Sequence, residues 1–327
     1  MADRHGLDIG MTPPLVNIRV QRPLLMAVIG ASAIYLGVSL WAGWEEVLLA
    51  LRQVGLAGSA MALALSLVNY GLRFFRWQYY LGLSHFSPPW MASLRIYLAG
   101  FALTMTPGKA GEALRSILLA RRGIPYSVTL AALVSERVAD LVVFILFALL
   151  SVKLYPQASI PVAAAAACIT LAIALFSNRR IAQWLSGRCA AYRGKGSTLL
   201  GHVVSILSDV RSNLRPGLLL AATLVGLVAW GAEALAFQWI LGWMGHAVPL
   251  TLAIFIYAAS MLAGAASMLP GGMGGAEAVM IFLLTHHGVP LPAAIAATVF
   301  IRLTTLWFAV LIGLFALILS RSEAEGE

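Results

Sequence analysis

Twelve ionisable residues fall inside apolar stretches of this 327-residue chain. Arg73 and Arg76 share one run, Glu136, Arg137 and Asp140 lie near the middle of another, and Glu233 and Arg302 lie in two later ones. Arg95, Lys109, Glu112, Arg115 and Glu277 lie in two further apolar regions that are interrupted by Pro-Gly. A charge at the centre of a bilayer costs about 2.5–3.5 kcal/mol even on the mildest scale, so such groups must face one another or a wet cavity. Seven of the twelve are cations and five are carboxylates. A cationic surplus beside a cavity suits an anion, and arginine forks match phosphate oxygens. Helix N-termini after Pro107-Gly108 and Pro270-Gly271 would add backbone N–H groups aimed at the same anion. The plainer alternative is a set of ion pairs that holds a bundle together. Glu136 and Asp140 share a helix face at i, i+4, and Arg137 lies near Asp140 at i, i+3. For any single residue both readings stay open.

Composition says what kind of scaffold must hold these groups. The chain is 61% hydrophobic and 11% charged, with a mean hydropathy of +0.88. Soluble domains carry about a quarter charged residues, and disorder needs low hydrophobicity, so both classes are excluded. The longest polar-rich stretch, 178–215, is too short for a catalytic domain of ~100 residues. Residues 1–327 therefore read as a single membrane domain. The net charge of +9 reflects cytoplasmic loops and anionic headgroups, not nucleic acid. Cys168 and Cys189 form neither a disulfide framework nor a metal site. Adjacent His286 and His287 do not face the same way on a helix. No metal, cofactor or catalytic residue is expected, and no P-loop is present to make ATP the direct drive.

The spans follow from the apolar runs. Arg19, Arg22 and Ala31-Ser32-Ala33 imitate a signal peptide and its cleavage site. The run nevertheless continues to Trp41, which predicts an uncleaved span over 24–42. Further spans are predicted over 57–83, 126–152, 158–177, 216–243 and 292–320. Regions 88–122 and 249–287 break at Thr106-Pro107-Gly108 and Leu269-Pro270-Gly271-Gly272, where proline removes a donor and glycine frees φ. The 178–215 stretch is strongly basic, with Arg179, Arg180, Arg188, Arg193, Lys195, Arg211 and Arg215 against Asp209, and should be cytoplasmic. Counting crossings from there puts both termini in the cytoplasm and makes 88–122 and 249–287 enter and leave on one side each. The expected fold is an all-α integral membrane protein with six full spans plus two re-entrant helical hairpins. Because irregular backbone at membrane depth must be buried or wet, the hairpin tips should line a cavity.

A repeat supports this arrangement. Phe75-Arg76-Trp77 matches Phe237-Gln238-Trp239, and Pro107-Gly108 matches Pro270-Gly271. Glu112, Gly123, Pro125 and Arg137 recur at the same spacing as Glu277, Gly288, Pro290 and Arg302, with two extra residues in the second tip. Repeat one covers 57–152 and repeat two 216–320. The single span 158–177 between them inverts the second. Inverted repeats with broken helices around a midplane site are a transporter pattern.

Four segments carry a resemblance: Arg73-x-x-Arg76-Trp77, Thr106-Pro107-Gly108-Lys109-Ala110-Gly111-Glu112-Ala113-Leu114-Arg115, Ser135-Glu136-Arg137-Val138-Ala139-Asp140, and Pro270-Gly271-Gly272-Met273-Gly274-Gly275-Ala276-Glu277. In this order they resemble the lysylphosphatidylglycerol synthase transmembrane family, over about 20–320. This is the flippase-like domain of multiple peptide resistance factors and of many stand-alone membrane proteins. The resemblance implies movement of lipids or lipid-linked headgroups between leaflets, and a bacterial cytoplasmic (inner) membrane. Full-length resistance factors add a soluble aminoacyltransferase domain, whereas this chain stops at Glu327, so lysyl transfer is not expected. Glycolipid, polyprenyl-linked sugar, hopanoid-type and phospholipid cargoes all stay open.

The expected activity is transport of an anionic or phosphate-bearing lipid or lipid-linked headgroup. Arg73, Arg76, Arg137 and Arg302 would bind the phosphate, assisted by Lys109 and Arg115. Glu112, Glu136, Asp140 and Glu277 would release it by pairing with those arginines or by taking up a proton. Pro107, Gly108, Pro270, Gly271 and Gly272 would form the hairpin tips. The competing readings are an intramembrane enzyme using Glu136 and Asp140 on a lipid phosphate or glycosyl donor, and a scaffold for a partner membrane enzyme. Small residues from Ala163 to Ala167 could pack within one chain or in a homo-oligomer.

Overall fold

A computed structural model describes residues 44–104, 114–152, 155–156, 159–178 and 197–324, with isolated positions 30, 37 and 183. The expected span over 24–42, the first hairpin tip (Pro107, Gly108, Lys109, Glu112) and most of the basic loop lie outside the described residues.

The described residues are helical, with no strand among them. In chain order, the helices are α1 (Trp44–Leu83), α2 (Trp90–Ala99, continuing into a 3-10 turn, Gly100–Leu103), α3 (Leu114–Ala120), α4 (Tyr126–Val152), α5 (Ser159–Ser177) and α6 (Ser197–Asn213). They continue with α7 (Pro216–Trp243), α8 (Leu250–Ala266), a 3-10 turn (Pro270–Gly272), α9 (Gly275–His286), α10 (Leu291–Arg302, continuing into a π turn, Leu303–Trp307) and α11 (Phe308–Ala324). Prolines mark several starts: Pro216 opens α7, and Pro249 and Pro290 precede α8 and α10. A fixed φ and a missing N–H suit that place, where the amide has no helical partner anyway.

Four stretches are long and apolar enough to cross a membrane: 50–83, 159–177, 216–243 and 291–319. Helix α4 has 27 residues, about 40 Å at 1.5 Å per residue, and carries Glu136, Arg137 and Asp140 midway. The protein is thus an all-α integral membrane protein. The runs predicted over 126–152 and 216–243 match α4 and α7. Helix α1 extends further towards the N-terminus than expected and turns a corner at Gly55, whose φ of 65° breaks the helix.

Packing runs crosswise between the two halves. Helix α1 lies along α7, α4 packs on α8, and α11 packs on α2 and its 3-10 turn. Helix α10 touches α1 just as α4 touches α7. Turn geometry gives the register. The turn after α1 and the one after α7 make matching backbone bonds, His85 N–H to Gly82 and Gly245 N–H to Gly242, 160 residues apart. The turns before α4 and α10 match at 165, with Gly123 N–H bonded to Ala120 and Gly288 N–H to Thr285. This corrects the motif alignment of the early spans. Trp77 aligns with Phe237 rather than Trp239, and Arg73 aligns with Glu233; Arg137 and Arg302 align as expected. The misleading match arose because aromatic residues recur every few positions along both helices.

One core cluster gathers Phe237, Ile240, Ile256, Tyr257 and Phe300, and a second gathers Tyr70, Trp77, Tyr80, Tyr97 and Phe101. Helix α5 stands apart, with Val162 its buried residue, against α4 and α6. Val210 of α6, and Leu214 just after it, pack onto Ala131 and Val138 of α4.

The contact of α11 with the first half is backbone to backbone. A Cβ at Gly313 would lie 2.2 Å from the Ala102 nitrogen and 2.9 Å from the Leu98 oxygen. Overpacking typically costs about 1–3 kcal/mol, and here nothing flexible can give way. Gly313→Ala should therefore lower the thermal unfolding midpoint of the detergent-purified protein. Gly71→Ala, whose Cβ would meet nothing within 4 Å, should leave it unchanged or slightly raised. An equal response of the two would refute this packing.

Candidate functional site

The crosswise packing leaves a partly open cavity of about 330 Å³. Helix α1 contributes Tyr70 and Arg73, α4 contributes Arg137, Asp140 and Phe144, and α7 contributes Trp230 and Glu233. Helix α8 adds Tyr257, Met261 and Gly264, the second hairpin tip adds Met268, Leu269, Gly271 and Gly272, and α10 with its π turn adds Arg302 and Thr305. Three guanidinium groups and two carboxylates thus meet in a mostly apolar wall.

The tip that closes one side is built from glycine. Gly271, Gly272 and Gly274 have φ values of 61°, 70° and 80°, a region that side chains disfavour. They reverse the chain so that α9 lies back along α8. A Cβ at Gly264 would sit 3.2 Å from the Gly272 carbonyl oxygen, so small residues are needed on both sides. Arg302 clasps this tip. Its Nε donates to Glu277 Oε1 at 2.7 Å and its Nη2 to the Gly271 carbonyl at 2.8 Å. The other Glu277 oxygen accepts the Gly274 N–H at 2.6 Å, capping α9 where a carboxylate is favoured.

On the opposite wall, Asp140 is the hub. Its Oδ1 accepts Arg76 Nη2 at 2.7 Å and the Trp230 indole N–H at 3.0 Å. Its Oδ2 lies 3.3 Å from Arg137 Nη2. Arg73 rests over the Trp230 ring, 4.9 Å from its centroid, and reaches Asn69 Oδ1 at 3.5 Å. Asn69 in turn donates to the Ala229 carbonyl at 3.0 Å, tying α1 to α7. Across the cavity the Tyr257 hydroxyl donates to Glu233, and the Tyr70 hydroxyl donates to the Thr305 carbonyl.

The structure divides the residues predicted from sequence. It brings Arg73, Arg137, Asp140, Arg302, Gly271 and Gly272 together on the cavity wall. Arg76 sits behind that wall against Asp140, and Glu277 holds Arg302 from the side. Pro270 opens the 3-10 turn of the tip. Arg115 and Glu136 are not cavity residues. They form a fully buried pair at 3.2 Å, and the guanidinium stacks on Tyr97 at 4.1 Å and Trp77 at 5.3 Å. Gly100 makes room for it, since a Cβ there would lie 2.5 Å from Arg115 Nε. Lys109, Glu112, Pro107 and Gly108 lie outside the described residues. Sequence reasoning gave no role to Tyr70, Trp230 and Tyr257 and did not assign Glu233 to the site. The available signal was the 160-residue register, which sets Tyr70 against Trp230, each three residues before a charge.

Broken helices around a charged interior cavity define a polytopic membrane protein with a site built between two halves of one chain. Residues 28–313 match the family described as "Lysylphosphatidylglycerol synthase TM region", and the chain belongs to that family. It is also similar to two proteins of Methanothermobacter thermautotrophicus (strain Delta H), each named "UPF0104 membrane protein". One is 25% identical, covering 90% of this chain and 94% of the relative. The other is 23% identical, covering 91% and 93%. "UPF0104 membrane protein PH1989" of Pyrococcus horikoshii is 20% identical, covering 88% of this chain and 94% of its own length.

The burial of Arg115 with Glu136 yields a prediction. Removing one partner of a buried pair costs about 3–5 kcal/mol, whereas replacing both with apolar residues is often neutral. Glu136→Gln should strongly lower the unfolding midpoint in detergent, and Arg115→Met combined with Glu136→Leu should recover most of the loss. A double variant as unstable as the single one would show that the pair does more than fill space.

Proposed function

We propose that this protein moves a lipid with an anionic, phosphate-bearing headgroup, or a lipid-linked headgroup of that kind, between the leaflets of a cytoplasmic membrane. The observation that carries the reading is the cavity itself, where Arg73, Arg137 and Arg302 converge with Asp140 and Glu233 inside an otherwise apolar bundle. One more cation than carboxylate leaves the wall suited to a monoanion such as a phosphodiester. Guanidinium forks give such a group paired hydrogen bonds. A headgroup must cross a hydrocarbon core of ~30 Å, and a polar interior lowers that barrier while the tails stay in lipid. Membership of the family is compatible with a lipid-related role.

The reading includes a topology. Two units, 57–152 and 216–320, would be inverted relative to each other, each with a hairpin that enters the membrane from its own side. The crosswise helix contacts and the matched turns at 160 and 165 residues support it. An enzyme reading fares less well. Glu136 pairs with Arg115 away from the cavity, and Asp140 is engaged by Arg76 and Trp230, which favours a structural role for both carboxylates.

Two outcomes test the proposal. In proteoliposomes, translocation of a fluorescent phosphatidylglycerol should fall about tenfold or more in Arg137→Ala and Arg302→Ala, provided both variants remain folded. Unchanged rates would remove these arginines from the mechanism. Separately, Met273→Cys at the second tip, in a background lacking Cys168 and Cys189, should react with an impermeant maleimide from outside intact cells. Reaction from the cytoplasmic side alone would overturn the opposed hairpins.

A further inference from the structure

Tyr70 and Trp230 occupy equivalent positions, because the turns ending α1 and α7 match at a spacing of 160. Each lies three residues before a charged cavity residue, Arg73 or Glu233. Each also sends its polar tip across to the other half, Tyr70 to the π turn continuing α10 and Trp230 to α4. Tyr70 donates to the Thr305 carbonyl, and Trp230 donates to Asp140 at 3.0 Å. The two acceptor positions are themselves equivalent at a spacing of 165, the register of the turns before α4 and α10. The halves are therefore joined by two crossed aromatic tethers at corresponding sites.

The two tethers do different chemistry. Tyr70 holds a backbone carbonyl inside the π turn, three residues beyond Arg302. Trp230 holds two side chains of the cavity at once. Its N–H fixes Asp140, whose second oxygen faces Arg137 at 3.3 Å, and its ring carries Arg73. The indole is buried against Phe144, with ring centroids 4.8 Å apart. It is thus rigidly held. A cation over an indole face and a charge-assisted hydrogen bond to its N–H are both favourable, and more so away from water.

We propose that Trp230 is the positioning residue of the anion site. It sets Arg73 directly and Arg137 through Asp140, so that both guanidinium groups present their donors at a fixed separation. Tyr70 performs the corresponding service for Arg302 through the π turn. This rests on the anion-transport reading above. It adds that affinity for the headgroup depends on an aromatic residue whose N–H is engaged with Asp140 rather than with cargo.

The test uses the full chain in proteoliposomes with fluorescent phosphatidylglycerol as the probe, together with thermal unfolding of the same preparations. Trp230→Phe keeps the ring face and removes the N–H. Its half-saturating probe concentration should rise about tenfold while the maximal rate stays within about twofold. Trp230→Tyr, which restores a polar tip of the kind its counterpart uses, should regain most of the affinity. A thermal double-mutant cycle of Trp230→Phe with Asp140→Ala should be non-additive, because each change removes the same Trp230 N–H to Asp140 bond. Additive losses, or an unchanged half-saturation in Trp230→Phe, would overturn the positioning role while leaving the transport reading intact. A wild-type protein that does not move the probe would instead overturn the transport reading and this inference with it.

Discussion

Ionised side chains inside an apolar bundle are the constraint from which the rest of this structure follows. No charge can be left against hydrocarbon without a large penalty, and the charges at the centre of the bundle are paired or open onto the cavity. Arg115 and Glu136 neutralise one another among aromatic rings, and Arg76 backs Asp140. Arg302 is divided between Glu277, a backbone carbonyl and the cavity. Helices are held where these pairings need them, and glycine appears where a side chain would block the approach, as at Gly100 and Gly264.

The charges fall into two layers with different duties. The inner one, Arg73, Arg137, Arg302, Asp140 and Glu233, opens onto the cavity. In the outer one, Arg76 and Glu277 hold Asp140 and Arg302, while Arg115 and Glu136 lock helices to each other. Buried ion pairs are weak evidence of stability, but breaking one is costly. The outer layer therefore ties helices together behind the cavity wall.

Much of the fold was legible in the sequence because apolar length and Pro-Gly breaks are strong signals. The ends of α4 and α7 coincide with the expected spans, and the helices flanking the second tip, α8 and α9, fall within the predicted 249–287 region. The site was legible only in part. Sequence spacing shows that Glu136, Arg137 and Asp140 share about one helical turn. It does not show that Glu136 turns to Arg115 while Asp140 and Arg137 face the cavity, since that depends on α3 packing against the other side. Tyr70, Trp230 and Tyr257 were illegible for another reason. Aromatic residues are common in such helices, and only a three-dimensional register separates those that reach a carboxylate from those that fill the core.

Helix α5 has Val162 as its buried residue, and its main contacts are with its neighbours α4 and α6. Its individual side chains thus carry almost no selective burden, and substitutions that keep it oily and about as long should accumulate freely. Its existence is another matter. If the second half is inverted relative to the first, this lone crossing sets the parity of the polypeptide. Losing it would turn the later helices upside down, and the interlocked partners would then be presented to each other from incompatible sides.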